Sequence, residues 1–350
     1  MADLTTSDLE RRATAPAQLA EWEAKYGPDA AARLAAAEEA KRAAQKAMEK
    51  GNTTRNRTTA FRTWERYCAW AGTPVEEASG GAVAVWVMWM HRQGKLDGTG
   101  MAPGSVQTML FAAVSELRDR GIKVSRDDVA DAKAIATALA VELAQAGEVR
   151  GRGQAPAATV EGLHQIAEAA PDNLAGLRDK ALVFTGVNYA SRASEISDLR
   201  DGHVSFFPEG MKVNVVSGKT LQSIRHPKIP YAKEKAICPV RSYRNWREEL
   251  GRRDPTDPAF HSIDRHGNVG HGLRPGGVTE AIARIAAYSG IELRWTGHSL
   301  RAGLATIARR AGKTIEQIAA QGGWSPTSRK LFSYLREVDG WTDSAAAGLA

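Results

Sequence analysis

Apolar side chains recur at helical spacing through the first half of the chain. Phe61, Trp64 and Cys68 follow one another at intervals of three and four residues, and a second apolar run covers residues 83–90. This spacing places the apolar residues on one face of each helix, where neighbouring helices can pack together. The pattern predicts a small helical bundle over residues 51–146.

Turn and cap residues divide this bundle into helices. A glycine-rich break at 94–104 ends the second helix, and Ser105 is placed to cap a third, because a serine hydroxyl accepts hydrogen bonds from the free N–H groups of a first helical turn. Asp127 or Asp128 is expected to open a last helix that runs through Ala146.

Two segments of different composition flank the bundle. Residues 1–50 are rich in Ala, Glu, Lys and Arg, which favours helix but offers few large side chains to bury. We expect a solvated arm that is partly frayed or disordered, with a helix that binds a partner or DNA as the alternative. Residues 147–158 combine glycines, a proline and arginines, which predicts a flexible basic linker.

A second domain is predicted over residues 159–350. Its first helices extend to about Val187, and strand-like runs follow at Val204–Phe207, Met211–Val216 and Leu221–Ile229, separated by turn residues. The fold class is therefore mainly α with a small antiparallel β-sheet. Later helix starts are expected at Pro239, Val278, His298, Thr314 (in a capping box with Gln317) and Ser325-Pro326.

Composition indicates the kind of partner and the cellular compartment. The 350 residues carry a net charge of +7 and a pI near 9.4, which gives a modest preference for a polyanion such as nucleic acid. Cys68 and Cys238 are expected to be core thiols in a reducing, cytoplasmic compartment. The sequence contains no apolar run of membrane-spanning length and no signal pattern at its start, so a soluble protein is expected.

Five short motifs follow one another in the second domain. Each is weak alone, but together and in this order they are hard to obtain by chance. They resemble the tyrosine recombinase (phage integrase) family over about residues 55–349, and their residue types are most similar to those of its Cre-like members. The resemblance implies a SAM-like core-binding domain followed by an α+β catalytic domain. The motifs are Ser191–Ile196, Gly218–Leu221, Gly297–Arg301, Gly322–Trp324 and Tyr334–Arg336.

Two arginines in these motifs suit a phosphodiester. Attack on phosphorus builds negative charge on the non-bridging oxygens, and planar guanidiniums such as those of Arg192 and Arg301 match that geometry with paired donors. Ser191 is placed to cap a short helix that brings Glu195 one turn after Arg192. An ordinary surface ion pair between these two residues is the alternative, and it is compatible with a carboxylate that holds the guanidinium in place.

His298, Trp324 and Lys219 complete the set that the resemblance implies. It makes His298 a phosphate donor and proton handler, Trp324 an indole donor to a phosphate oxygen, and Lys219 the general acid for the leaving 5′-oxygen. From the residues alone, a histidine satisfied by backbone, a core tryptophan and a solvated turn lysine stay open.

Tyr334 is the predicted nucleophile. A phenol needs neighbouring positive charge or a base to react near neutral pH, and its attack would form a 3′-phosphotyrosine and free a 5′-hydroxyl. The interval from Trp324 to Tyr334 is one residue longer than is usual in the family. An extra residue is harmless in the 325–328 loop, but inside a helix it would turn the phenol by about 100°. Sequence context indicates structural roles for Tyr189, Tyr231, Tyr243 and Tyr288.

Basic residues outside the motifs are candidates for DNA contact. Four arginines lie on the first bundle helix away from its apolar stripe, and two lie in the predicted linker. Phosphate contacts and solvated side chains explain them equally well. They are Arg55, Arg57, Arg62, Arg66, Arg150 and Arg152.

No cofactor and no metal is expected. His261, His266 and His271 recur in a glycine-rich stretch without cysteine or carboxylate partners, which favours loop residues over metal ligands. The sequence also lacks a P-loop and a dinucleotide-binding glycine fingerprint.

The resemblance also implies an assembly. Monomers in solution would clamp double-stranded DNA between the two domains, form a homotetramer on two sites and exchange strands through a Holliday junction. Residues 338–350 would dock as a helix onto a neighbouring protomer, or pack in cis. A bacterial or phage origin and association with the nucleoid are implied. A type IB topoisomerase-like nicking and closing enzyme and a non-catalytic DNA-binding protein of the same fold are the alternatives.

Overall fold

The computed structural model divides the chain into two compact units. The division falls after Gly153, inside the segment 147–158 that the sequence predicts as a linker. The structure describes residues 16–48, 51–79, 81–151, 153–216, 225–251 and 254–335.

Two helices occupy the alanine-rich region that precedes the bundle. They span Pro16–Tyr26 and Pro28–Met48, where a partly frayed arm was expected. Most of their described side chains are exposed, although Ala31 is fully buried. The high helix propensity of alanine therefore decides the local structure here, with little apolar burial to support it.

The first unit has its core between four helices of the predicted bundle. Trp64, Trp86, Met90, Leu110 and Leu117 are fully buried there. The two indoles meet edge to face, with ring centroids 5.5 Å apart, a favourable geometry for aromatic pairs. Cys68 is buried and unpaired, as predicted. The helices span Gly51–Ala71, Ala82–Gln93, Pro103–Asp119 and Arg126–Gln145.

Two helix starts in this unit differ from the prediction. The third helix begins at Pro103 rather than after Ser105, because proline fits the first helical position, where no N–H is needed. The last helix is capped by Ser125, whose hydroxyl accepts from the backbone N–H of Asp128 at 3.0 Å. The Asp128 carboxylate in turn accepts from the backbone N–H of Ser125 at 3.3 Å, which completes a capping box.

The second unit is built around the helix Leu174–Asn188, most of which is buried. Helices that precede and follow it in the sequence pack on it; the later ones include Pro239–Leu250 and Gly297–Arg310. Cys238, just before the first of these, is a buried free thiol, as predicted. The other helices span Val160–Ala169, Ala193–Ser197, Pro275–Tyr288, Ile315–Gly322 and Arg329–Leu335, with a 3₁₀ turn at Asp201–His203.

The predicted antiparallel sheet is present, and its second strand is shorter than expected. Val204–Phe207 pairs with Gly210–Val213, which in turn pairs with Lys228–Pro230. Alternation places Met211 and Ile229 on the buried face, opposite one another. The start of the third predicted strand lies outside the described residues.

A second, two-stranded sheet occupies the stretch that was predicted as a glycine-rich loop. His261–Ile263 pairs with Val269–Gly272, and the Nδ1 atom of His261 lies 2.8 Å from the carbonyl oxygen of Gly270. The loop prediction is wrong here because the strands are short and glycine-containing, which weakens any strand signal. No helix in the described part of the chain is long and apolar enough to cross a bilayer.

Candidate active site

The candidate site begins where the central helix Leu174–Asn188 ends. Ala190 has a positive φ of 51°, a left-handed conformation that turns the chain sharply. The next helix starts at Ala193, with Arg192 in the cap position that the sequence assigned to Ser191. The Glu195 carboxylate accepts from the backbone N–H of Arg192 at 2.9 Å, because a carboxylate reaching back can satisfy an open helix start.

Glu195 is a buried carboxylate between two guanidiniums. Its side chain is 3% exposed, and it forms ion pairs with Arg192 and Arg225. Burial alone would raise the pKa of Glu195, but the charges of Arg225 and Arg192 and the N–H of Arg192 outweigh it, and the pKa is lowered. The ionised carboxylate is therefore the stable form. Arg192 keeps 36% of its side chain exposed, so it can also reach a ligand.

Arg301 enters the same site from the helix Gly297–Arg310. It is buried, its guanidinium donates to the carbonyl oxygen of Ala190, and a second carbonyl, that of Gly322, lies 3.4 Å away. Burial lowers the pKa of Arg301 to about 10, and the positive charge of Arg192 acts in the same direction. Burial and a neighbouring positive charge both disfavour the charged form of Arg301, so an anion bound at this site would be favoured.

Arg301, Trp324 and Tyr334 form a row in which each side chain contacts the next. The guanidinium carbon of Arg301 lies 4.4 Å from the Trp324 ring centroid, within the range of a cation–π contact. The Tyr334 ring follows at 6.1 Å from Trp324, in an edge-to-face arrangement. Tyr334 is almost fully buried, and its phenol acts electrostatically on Arg301, whose pKa it raises.

The helix that carries the phenol begins after the loop 325–328. Residues 325–328 form a turn, in which the hydroxyl groups of Ser325 and Thr327 lie 2.9 Å apart. The helix begins only at Arg329, later than Ser325-Pro326 indicated. The phenol contacts Trp324, whereas an insertion within the helix would turn it by about 100°.

His298 lies exposed in the first turn of its helix, where its backbone N–H donates to the Thr296 hydroxyl at 3.2 Å. Partial burial of the ring lowers its pKa, and the charges of Lys330, Arg301 and Arg192 lower it further. The imidazole is therefore neutral near pH 7 and able to accept a proton.

Two charged residues at the site were missed by sequence reasoning. Lys330 lies one turn before Tyr334 with its ammonium 4.8 Å from the phenol ring centroid, a helical spacing that could have signalled the contact. Arg225 bonds Glu195 at 2.9 Å, and no motif marks it. Lys219, the predicted general acid, lies outside the described residues.

The remaining tyrosines of this unit differ from Tyr334 in their surroundings. Burial raises the pKa of Tyr189 and of Tyr243, which makes their phenols poor nucleophiles. Tyr288 is exposed on the surface, and Tyr231 lies under the guanidinium of Arg241.

The six arginines proposed for DNA contact differ in their surroundings. Arg57 pairs with Glu116 and Asp119 on another helix, and Arg66 donates to the carbonyl oxygens of Gly94 and Lys95; both contacts stabilise the bundle. Arg150 similarly bonds Glu148 and the carbonyl oxygen of His91. Arg55 and Arg62 are exposed, and Arg152 lies outside the described residues.

Comparison with solved structures defines the fold. A lambda integrase dimer bound to a COC′ core site is similar with a TM-score of 0.54 at 15% identity, covering 82% of this chain and 89% of that one. The Tn1549 transposon integrase in complex with a circular intermediate DNA has a TM-score of 0.53 at 14% identity, covering 88% and 95%. The fold is that of the tyrosine recombinases.

Sequence comparison then identifies the family. Residues 158–337 match the phage integrase family, and this stretch contains every residue of the candidate site. The chain belongs to the phage integrase family. It is also 31% identical over 163 residues to an integrase/recombinase xerD homolog of Selenomonas ruminantium, over 45% of this chain and 47% of that protein. The match thus spans about half the length of that relative.

Proposed function

We propose that this protein is a site-specific DNA recombinase that cuts and rejoins strands through a 3′-phosphotyrosine. The observation that carries the proposal is the row formed by Arg301, Trp324 and Tyr334, with successive separations of 4.4 and 6.1 Å. It connects a buried guanidinium to a phenol through one indole, and the charge of Arg192 acts on both Arg301 and His298. A phosphodiester is the substrate that such a set of groups fits.

The proposed step exchanges one phosphorus–oxygen bond for another. The Tyr334 Oη attacks phosphorus while Arg192 and Arg301 stabilise the charge on the non-bridging oxygens. The phenolic proton passes to the neutral imidazole of His298, and the P–O5′ bond breaks. The 5′-oxygen leaves as a hydroxyl after protonation by Lys219, the general acid that the family resemblance implies. Attack by a 5′-hydroxyl reverses the sequence and rejoins the strand.

The assembly is proposed on the same basis. Four copies on two double-stranded sites would exchange one pair of strands, form a Holliday junction and exchange the second pair. Support comes from the similar lambda integrase, which was solved as a dimer on a core site. The docking role of residues 338–350 remains a prediction, since these residues lie outside the described part of the chain.

A set of nicked duplexes tests the chemistry. The duplexes together cover the DNA that flanks the gene, and each carries a nick near one possible cleavage position. After cleavage the short 5′-hydroxyl fragment diffuses away, so the strand cannot be rejoined and the covalent intermediate is trapped. We expect the parent to form a DNA–protein adduct and Tyr334→Phe to form none, while Tyr288→Phe, an exposed tyrosine of the same unit, reacts like the parent. Equal reaction of Tyr334→Phe and parent would contradict the proposal.

Paired sites then separate the recombinase from its alternatives. Joined products from two duplexes require a recombinase, whereas adducts and relaxation of supercoiled plasmid without joined products would indicate a type IB topoisomerase-like enzyme. Tight DNA binding without any adduct would indicate a non-catalytic DNA-binding protein.

A further inference from the structure

We propose that Arg225 is a positioning residue for the strand-transfer site, and this inference rests on the function proposed above. One guanidinium contacts three separate stretches of the chain. It bonds Glu195 Oε2 at 2.9 Å, the carbonyl oxygen of Gln321 at 2.9 Å, and the carbonyl oxygen of Tyr189. These stretches lie next to Arg192, before Trp324 and at the end of the central helix.

The first consequence concerns the carboxylate of Glu195. Its Oε1 bonds the Arg192 guanidinium, and its Oε2 accepts from the Arg192 backbone N–H and from Arg225. Arg225 thus determines how the carboxylate is rotated, and this rotation sets the direction from which Arg192 is held. Without Arg225, Oε2 accepts only from the backbone N–H of Arg192. The carboxylate could then rotate together with the Arg192 side chain and would no longer hold it in one orientation.

The second consequence concerns the turn before Trp324. Gly323 has a φ of 66°, and a Cβ atom there would lie 2.7 Å from the Cδ of Arg225. The side chain of Arg225 therefore packs directly on this turn, while its Nη1 bonds the carbonyl oxygen of Gln321. Packing of the Arg225 side chain thereby holds the turn that leads into Trp324 and onward to Tyr334.

The third consequence concerns the backbone of Arg225. Its N–H and carbonyl group bond those of Val215, with N···O distances of 3.3 and 2.9 Å. These bonds join the two ends of the stretch that contains Lys219. One residue thereby connects the start of the proposed general-acid segment with Glu195 and with the turn at Gly323.

Arg225 differs from Arg192 in what its donors do. Its side chain is only 11% exposed, and both terminal nitrogens are bonded within the protein. Arg192 is 36% exposed and contacts one carboxylate. Arg225 therefore acts through other residues rather than by contact with the phosphate, and its loss should slow the chemical step without weakening DNA binding.

Single-turnover cleavage of a nicked duplex tests this assignment. For Arg225→Gln we expect a cleavage rate lower by about 10- to 100-fold, as for residues that orient reactive groups, with the DNA Kd unchanged within about threefold. Arg225→Lys, which retains the charge but not the fork of donors, should recover part of the rate. The control is Arg284→Gln, which removes one of the two arginines that pair with another buried carboxylate, Asp179, and should leave the rate unchanged.

A double variant separates positioning from general damage. If Arg225 acts through Glu195, the Glu195→Gln/Arg225→Gln pair will be no slower than the slower single variant, because both changes break one unit. Rates are compared well below each variant's Tm, and Arg225→Lys serves where Arg225→Gln does not fold.

Four results would overturn the assignment. They are a parental cleavage rate in Arg225→Gln, a loss of DNA binding that accounts for the loss of rate, effects of the two single changes that multiply, and an Arg284→Gln variant as slow as Arg225→Gln. A parent that forms no adduct on any duplex would overturn the proposed function and this inference together, so the two failures are distinguishable.

Discussion

Two buried carboxylates of the second unit are each bridged by two arginines, yet their surroundings differ. Asp179 is 3% exposed and pairs with Arg178 and Arg284. Glu195 is equally buried and pairs with Arg192 and Arg225. At Asp179 the inner guanidinium, that of Arg178, is itself buried and also donates to the carbonyl oxygen of His261 at 3.0 Å. That network ties the central helix to the second sheet.

At Glu195 the partly exposed guanidinium is that of Arg192. It interacts electrostatically with further cationic groups, whereas Arg178 bonds a backbone carbonyl. Arg192 lowers the pKa of both Arg301 and His298, a repulsion that folding tolerates because Glu195 balances part of it. The comparison teaches that a buried ion-pair network marks a functional site only where uncompensated positive charge converges beside a reactive group. Among the described residues the Asp179 network lacks that convergence, so variants of its arginines are matched controls for variants of the Glu195 network.

The largest effect is expected from Arg301→Lys. A lysine keeps the charge but loses the paired donors that match a phosphate, so the single-turnover cleavage rate should fall about 100-fold or more. Arg284→Lys in the other network should cleave at the parental rate. Equal rates for Arg301→Lys and parent would show that Arg301 does not contact the reacting phosphate.

Truncation of one arginine from each network should separate stability from activity. Arg178→Met breaks a fully buried pair and should lower the free energy of unfolding by about 3 kcal/mol, with little change in cleavage rate well below Tm. Arg192→Met removes a partly exposed partner and should lower stability by about 1 kcal/mol, but should slow cleavage at least about 100-fold. Urea unfolding and adduct formation measure the two quantities. The opposite pattern would assign the functional role to the Asp179 network.

Glu195→Gln is expected to slow cleavage about tenfold, because the orientation of Arg192 loosens while its guanidinium remains. The same variant has a stability signature. The folded-state pKa of Glu195 lies below its ordinary value of 4.5, so the carboxylate stabilises the fold above that pH, and this contribution is lost as pH falls through the folded pKa. Urea unfolding below pH 4.5 should therefore show a steeper loss of stability in the parent than in Glu195→Gln. Parallel pH profiles would contradict this.

The smallest effect concerns His298. Its folded pKa lies below its ordinary value of 6.5, so the unfolded chain binds more protons and the parent loses stability as pH falls through 6.5. His298→Gln should remove this contribution, which would appear as a flatter profile of unfolding free energy between pH 7.5 and 5.5. His91, whose pKa is also lowered, is present in both proteins and cancels in the difference.

Local signals predicted the elements of the fold best. The Thr314–Gln317 capping box is present, with Thr314 accepting from the Gln317 N–H at 3.3 Å, and the first strand spans Val204–Phe207 as predicted. The helices that begin at Pro103 and Pro275 were each placed too late, because proline at the first helical position was not used as a start signal.

The assembly of the site was less accessible from sequence. The motif residues were found because they follow a family pattern, but Arg225 was missed because two of its three partners are backbone carbonyls. Such contacts depend on the tertiary path of the chain, and no particular side-chain type is needed at Tyr189 or Gln321. The pairing of Arg57 with Glu116 and Asp119 was also not predicted. It too depends on the tertiary path of the chain, since those two residues lie on another helix.

The most direct test locates the atom that attacks the DNA. Parent protein is trapped on a nicked duplex, digested with protease and nuclease, and the nucleotide-bearing peptide is sequenced by mass spectrometry. The account predicts that the nucleotide is attached to Tyr334 in the segment 329–335. A nucleotide attached to Tyr189, Tyr231, Tyr243 or Tyr288, or to any side chain other than Tyr334, would contradict it.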